Sequence, residues 1–113
     1  MAEVSKDIIN NAYEAVEIAR KTGKIKKGTN ETTKAIERGI AKLVLVAKNV
    51  NPPEVIMHIV PLCKEKNTPC VEVPNKEELG AAAGLEVGTS SVAIIQEGDS
   101  RDLIKDIILK LKQ

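Results

Sequence analysis

The chain carries one aromatic residue, Tyr13, and neither phenylalanine nor tryptophan. Surfaces that read single strands by stacking bases on aromatic rings are therefore disfavoured. Histidine occurs once, at His58, and cysteine twice, at Cys63 and Cys70. That set cannot supply four zinc ligands at a familiar spacing, so the cysteines read as buried thiols and no metal is expected. No apolar run is long enough to cross a membrane. The first residues pass straight into an amphipathic pattern without the apolar stretch and cleavage site of a secretory signal, which predicts a cytoplasmic protein without a membrane partner. Catalytic signatures are missing too. There is no Gly-x-x-x-x-Gly-Lys-Ser/Thr loop, no Gly-x-Gly-x-x-Gly and no His-Glu-x-x-His, and the carboxylates are spread over helix faces. His58, on an apolar helical stretch, reads as structural. No catalytic residue, metal or cofactor is expected.

What is present is concentrated in one segment, Gly28-Thr29-Asn30-Glu31-Thr32-Thr33-Lys34-Ala35-Ile36-Glu37-Arg38-Gly39. At about 100° per residue, with Asn30 at zero, Lys34 falls near 40°, Arg38 near 80° and Glu31 near 100°. These four form one polar stripe. Thr32, Thr33, Ile36 and Ile40 fall between roughly 200° and 300°, with Ile36 central and turned toward a core. Gly28 precedes this helix, and Gly39 stands where a left-handed cap is commonest. From Arg20 to Lys42 there are eight basic residues against Glu31 and Glu37, a net +6 in a chain whose total is only +1. A concentrated basic sector in a nearly neutral protein attracts polyanions locally, which favours nucleic acid as the partner. The N-terminus of the striped helix adds a site suited to phosphate.

At 113 residues the chain is predicted to be a single domain, 1–113. Ser5 is placed to cap a first helix that ends at Gly23. An extended piece follows at residues 24–27. Lys42-Leu43-Val44-Leu45-Val46-Ala47 suits a strand buried on both faces. Asn51-Pro52-Pro53-Glu54 reads as a cap and first turn of a helix running to Cys63, kinked or divided at Pro61. Val71-Glu72-Val73 is a second short strand, Asn75 caps a small helix ending at Gly84, and Ser91-Val92-Ala93-Ile94-Ile95 is a further buried strand. Leu103, Ile104, Ile107, Ile108 and Leu111 share one face of a last helix. The alternation predicts an α/β fold, a three-layer α/β/α sandwich with a small central mixed sheet. Between Gly84 and Ser90, Leu85 is expected to tuck into the core, while Val87, next to the permissive Gly88, is expected to be an exposed aliphatic residue.

Gly28-Thr29-Asn30-Glu31-Thr32-Thr33-Lys34, with Arg38-Gly39-Ile40-Ala41-Lys42-Leu43-Val44, Pro52-Pro53-Glu54, Leu62-Cys63 and Ser91-Val92-Ala93-Ile94-Ile95, resembles the archaeal ribosomal "L-seven-Ae" family over nearly the whole chain. The resemblance implies a protein that binds RNA kink-turns without catalysing a reaction. Its RNA partners would be ribosomal RNA of the large subunit, the guide RNAs of methylation and pseudouridylation particles, and ribonuclease P RNA, together with the proteins of those particles. It would be a monomer when free. By resemblance the RNA-binding residues are Lys27, Gly28, Thr29, Asn30, Glu31, Lys34, Arg38, Val55, Lys76, Leu85, Glu86, Val87 and Gly88, the 85–88 loop packing on bulged nucleotides that Val55 and Lys76 also approach. Relatives carry acidic residues where this chain has Lys48-Asn49 and Asn51, and an aromatic residue in place of Cys70. Asn51 is accordingly predicted as a helix cap and Cys70 as a core change. A protein–protein adaptor, resting on the apolar stripe of the last helix, is the alternative.

Overall fold

The computed structural model describes residues 5–111. Four strands, β1 (Lys24–Lys27), β2 (Leu43–Ala47), β3 (Cys70–Val73) and β4 (Ser91–Gln96), form one sheet in the order β1-β4-β2-β3. β4 pairs antiparallel with both β1 and β2, whereas β2 and β3 are parallel and joined through a helix. The helices are α1 (Lys6–Thr22), α2 (Thr29–Glu37), α3 (Ile59–Glu65), α4 (Lys76–Ala82) and α5 (Arg101–Leu111).

Strand alternation sorts the apolar side chains into two layers. Leu43, Leu45 and Ala47 of β2, Val71 and Val73 of β3, and Val92 and Ile94 of β4 pack against α1, α4 and α5. Val44, Val46 and Ala93 face the other way, onto Ala35 and Ile36 of α2 and Ile59 and Cys63 of α3. All five residues of β2 are buried, as its unbroken apolar run predicts. The result is the expected three-layer sandwich.

Local chemistry sets the element ends. The Ser5 side chain accepts from the Ile8 N–H at 3.3 Å, and Asn75 Oδ1 accepts from Glu77 and Glu78 at 2.8 and 3.2 Å, so both predicted caps form. At the end of α2 the Gly39 and Ile40 N–H groups return to the Ile36 and Ala35 carbonyls, with Gly39 at φ 71°. This is a Schellman closure, and it turns the chain away from the core directly after Glu37. Ile40 is therefore 41% exposed instead of continuing the inward stripe, and Ala35 takes its share of the buried face.

The helix expected from Asn51 to Cys63 is in fact two pieces. A 3-10 turn at Pro53–Val55 is followed by bonds of the same tight kind, Ile56 N–H to Pro53 and Ile59 N–H to Ile56, before α3 starts at Ile59. Pro61 is the third residue of α3, in the first turn, where its missing N–H costs nothing. Extending the α-helix further back would require Pro61 to bond the Met57 carbonyl, which its ring blocks, so the break falls before the proline and not at it. Asn51 is not a cap: Pro52 holds that position, and no side chain caps the turn. Cys63 is buried and Cys70 half-buried, both free thiols. Their mutual hydrogen bond, with burial, pushes the Cys70 thiol well up.

Candidate nucleic-acid interface

The N-terminus of α2 stands where β1 ends, and the transition between them depends on one residue. Gly28 has φ 91° and ψ 162°, a conformation that side chains disfavour strongly, and open space lies where its Cβ would be. Its N–H donates to the Ser91 carbonyl at 2.9 Å, while Thr29 Oγ1 meets Ser90 Oγ at 2.6 Å. The helix start is thus tied to β4 and to the end of the loop that precedes it. Because the cap residue has no side chain, no side-chain acceptor covers the first-turn N–H groups of α2. They and the helix dipole make this end attractive to an anion.

Asn30, Glu31, Lys34 and Arg38 are all exposed, as the polar stripe predicts. Thr32 and Ile36, on the opposite side, are fully buried, and burial of Ile36 contributes about 1.5–3 kcal/mol to holding α2 on the sheet. Thr32 Oγ1 has no hydrogen-bond partner under the helix. Beside the stripe lies an open groove of about 640 Å³, lined by Lys27, Gly28, Thr29, Asn30, Glu31, Glu54, Val55 and His58. The structure therefore gathers six of the sequence-assigned residues, Lys27 to Glu31 and Val55, around one depression. Lys34 and Arg38 continue along α2 outside it.

A second group forms around α4. The Lys76 N–H donates to Asn49 Oδ1 at 2.8 Å, its carbonyl accepts from Thr89 at 3.1 Å, and a Cβ on Gly88 would lie 3.1 Å from Lys76 Cγ. Asn49 thus buttresses the start of α4. Leu85 is half-buried against the core, its N–H bonded to the Gly80 carbonyl at 2.8 Å, whereas Glu86 is exposed and Val87 is 71% exposed. Gly80 packs its backbone directly on Val87 and Gly88, which holds the loop against α4. The Thr29–Ser90 contact then links this loop to the α2 groove.

Two groove residues were not assigned from the sequence. Glu54 and His58 both line it, and His58 is exposed instead of buried on an apolar helix. His58 Nε2 lies 2.8 Å from Thr33 Oγ1, joining the start of α3 to α2. The Pro61 spacing was the signal: a helix that cannot extend back beyond Ile59 leaves His58 in a turn beside α2. Met57, 65% exposed, is a further apolar residue near Val55. Among the described residues, no group of His, Cys, Asp and Glu is arranged to hold a metal ion, and no helix is long and apolar enough to cross a membrane.

A sandwich with a polar helix face, a shallow groove and a projecting aliphatic loop is the outline of a binding module. The chain belongs to the ribosomal protein L7Ae/L30e/S12e/Gadd45 family, whose pattern matches residues 10–104. It is similar to the solved Giardia lamblia 15.5kD RNA binding protein, with 26% identity, a TM-score of 0.91, and 99% of this chain and 93% of that chain covered. Family membership agrees with a binding component in preference to a catalyst.

Proposed function

We propose that the chain is an RNA-binding protein that recognises kink-turns. The observation that carries this reading is the exposed Asn30–Glu31 pair at an uncapped helix start, with Lys34 and Arg38 on the same face. A regular RNA duplex hides its base edges in a deep, narrow groove, so a protein helix reads them only where a bulge and non-Watson–Crick pairs open the duplex. A kink-turn supplies that opening. Its tandem G·A pairs offer amino and imino donors, which the Glu31 carboxylate accepts, while the Asn30 amide both donates and accepts. Lys34 and Arg38 meet acceptors or phosphates along the same stripe. Val87, on the Leu85–Gly88 loop whose Gly88 packs beside Lys76, packs on unstacked bulge nucleotides without needing aromatic rings, and Val55 approaches them from the α2 groove.

In this reading the protein is cytoplasmic, monomeric when free, and an archaeal component of the large ribosomal subunit, of box C/D and H/ACA guide-RNA particles and of ribonuclease P. The family match and the likeness to an RNA-binding protein support its RNA-binding core. The test is a titration of a labelled kink-turn beside the same RNA with its G·A pairs converted to Watson–Crick pairs. Strong preference for the intact motif is expected, and Asn30→Ala or Glu31→Ala should weaken it by about 1–3 kcal/mol with the fold unchanged. Equal affinity for both RNAs would refute kink-turn recognition.

A further inference from the structure

We propose that His58 is an RNA ligand of the α2 groove and that it binds as the imidazolium, taking up a proton as the complex forms. This rests on the RNA-binding reading above. The ring lines the groove together with Lys27 to Glu31, and it is exposed.

The hydrogen bonds fix which ring nitrogen is spent. Thr33 has one hydroxyl hydrogen, and its Oγ1 lies 2.7 Å from the Thr29 carbonyl, which only accepts. That hydrogen goes to Thr29. Toward His58 Nε2, at 2.8 Å, Thr33 Oγ1 therefore acts as the acceptor, and Nε2 carries a proton. The neutral Nε2–H tautomer and the imidazolium both keep this bond, so charging the ring breaks nothing in the free protein. The change falls entirely on Nδ1. Uncharged, Nδ1 is a bare acceptor that repels phosphate and carbonyl oxygens; protonated, it is a charged donor to either.

The ionised side chains around the ring come from three elements. Lys27 ends β1, Glu31 lies on α2, and Glu54 lies on the 3-10 turn, so among the groove's lining residues one cation stands against two carboxylates. The positive end of α3, which starts at Ile59, opposes a further positive charge. RNA entering the groove adds only negative charge, and so favours the imidazolium in the complex relative to the free protein. By linkage, affinity then rises as pH falls, because the bound state holds the extra proton.

His58 is the only histidine in the chain, which makes the test clean. Labelled kink-turn RNA is titrated at constant ionic strength between pH 5.5 and 7.5 with the wild type and with His58→Gln, whose amide can still donate to Thr33. Wild-type affinity is expected to increase by about tenfold toward the acid end, the order of magnitude set by uptake of one proton. His58→Gln should bind with a flat profile, and the variant subtracts titration of the RNA itself and of the α-amino group. In parallel, the imidazole proton resonances of the wild type are followed against pH with and without RNA. A titration midpoint moved to higher pH in the complex supports the proposal, and this measurement stands even if the variant does not fold. An imidazole that titrates identically free and bound, or a variant that keeps the wild-type slope, overturns it. If the protein still prefers the intact kink-turn, only the role of His58 fails; if it binds neither RNA, both readings fall.

Discussion

Replacing Gly28 with alanine isolates the one backbone feature on which the groove depends. At φ 91° and ψ 162° the residue occupies a region nearly closed to side chains, and holding alanine there costs about 1–3 kcal/mol. No neighbour lies within 4 Å of the new Cβ, so the penalty comes from the backbone alone. Alanine also restricts the unfolded chain, which offsets about 0.4–1 kcal/mol. Because this region is essentially confined to glycine, the backbone cost lies at the upper end of its range, and the net loss is about 2–2.6 kcal/mol, equivalent to a fall in Tm of roughly 8–13 °C for a domain of this size. Urea denaturation followed by far-UV circular dichroism measures it, with an unchanged m value expected because no extra surface is exposed. Gly39→Asn, at φ 71° where asparagine is the usual substitute, should lose only a few tenths of a kcal/mol. RNA affinity of the folded Gly28→Ala protein should also drop, since relaxation of φ turns the first turn of α2 out of place. A Gly28→Ala variant as stable as the wild type would show that the positive φ is not maintained, and the account of the α2 entry would fail.

Lys34→Gln and Arg38→Gln should each flatten the dependence of log K on log salt by roughly one if the side chain pairs with phosphate; affinity lost at constant slope points to a base edge instead. Val87→Asp should reduce RNA affinity steeply while the melting temperature hardly moves, because the side chain is exposed in the free protein. A collapsed melting temperature would make it a core residue, and unaltered binding would place the loop off the RNA. Tyr13 is held above the ordinary tyrosine value by burial and by the nearby Glu78 charge. The unfolded chain therefore releases this proton first, and the Tyr13 contribution to stability is lost as pH rises past 10.0 toward the higher folded value. Absorbance of the single tyrosinate should show a late midpoint in the folded protein, and Tyr13→Phe should remove that part of the alkaline destabilisation.

Where one periodicity ran without interruption, the sequence was a sufficient guide. β2, the striped face of α2 and the caps at Ser5 and Asn75 all lie where spacing and side-chain chemistry put them. Failures cluster where two local preferences compete. Apolar spacing carries Ile40 onto the α2 stripe, but the left-handed Gly39 ends the helix one turn too early for it. The apolar spacing from Val55 to Cys63 also suits one helix, yet the missing N–H of Pro61 acts four residues back along the chain. That displaced break exposes His58 and brings it to the groove, a juxtaposition of α2 with α3 that only tertiary packing creates. The groove itself was half legible: Lys27 to Glu31 lie in one segment, whereas Glu54 and His58 reach it from another.

The open ends of the sheet bear on how this protein behaves at high concentration. An edge strand exposes unpaired backbone groups to which another copy could add a strand. At one edge, β1 has only four residues, three of them lysine, and its register shifts between Lys24 and Ile25. Charge, brevity and a bulge all discourage a second copy from pairing there. At the other edge, β3 is equally short and lies between Pro69 and Pro74, neither of which has an N–H to offer. Lys24 and Lys26 thus serve colloidal solubility whatever they do for a polyanion, and neutralising them would tell first as aggregation.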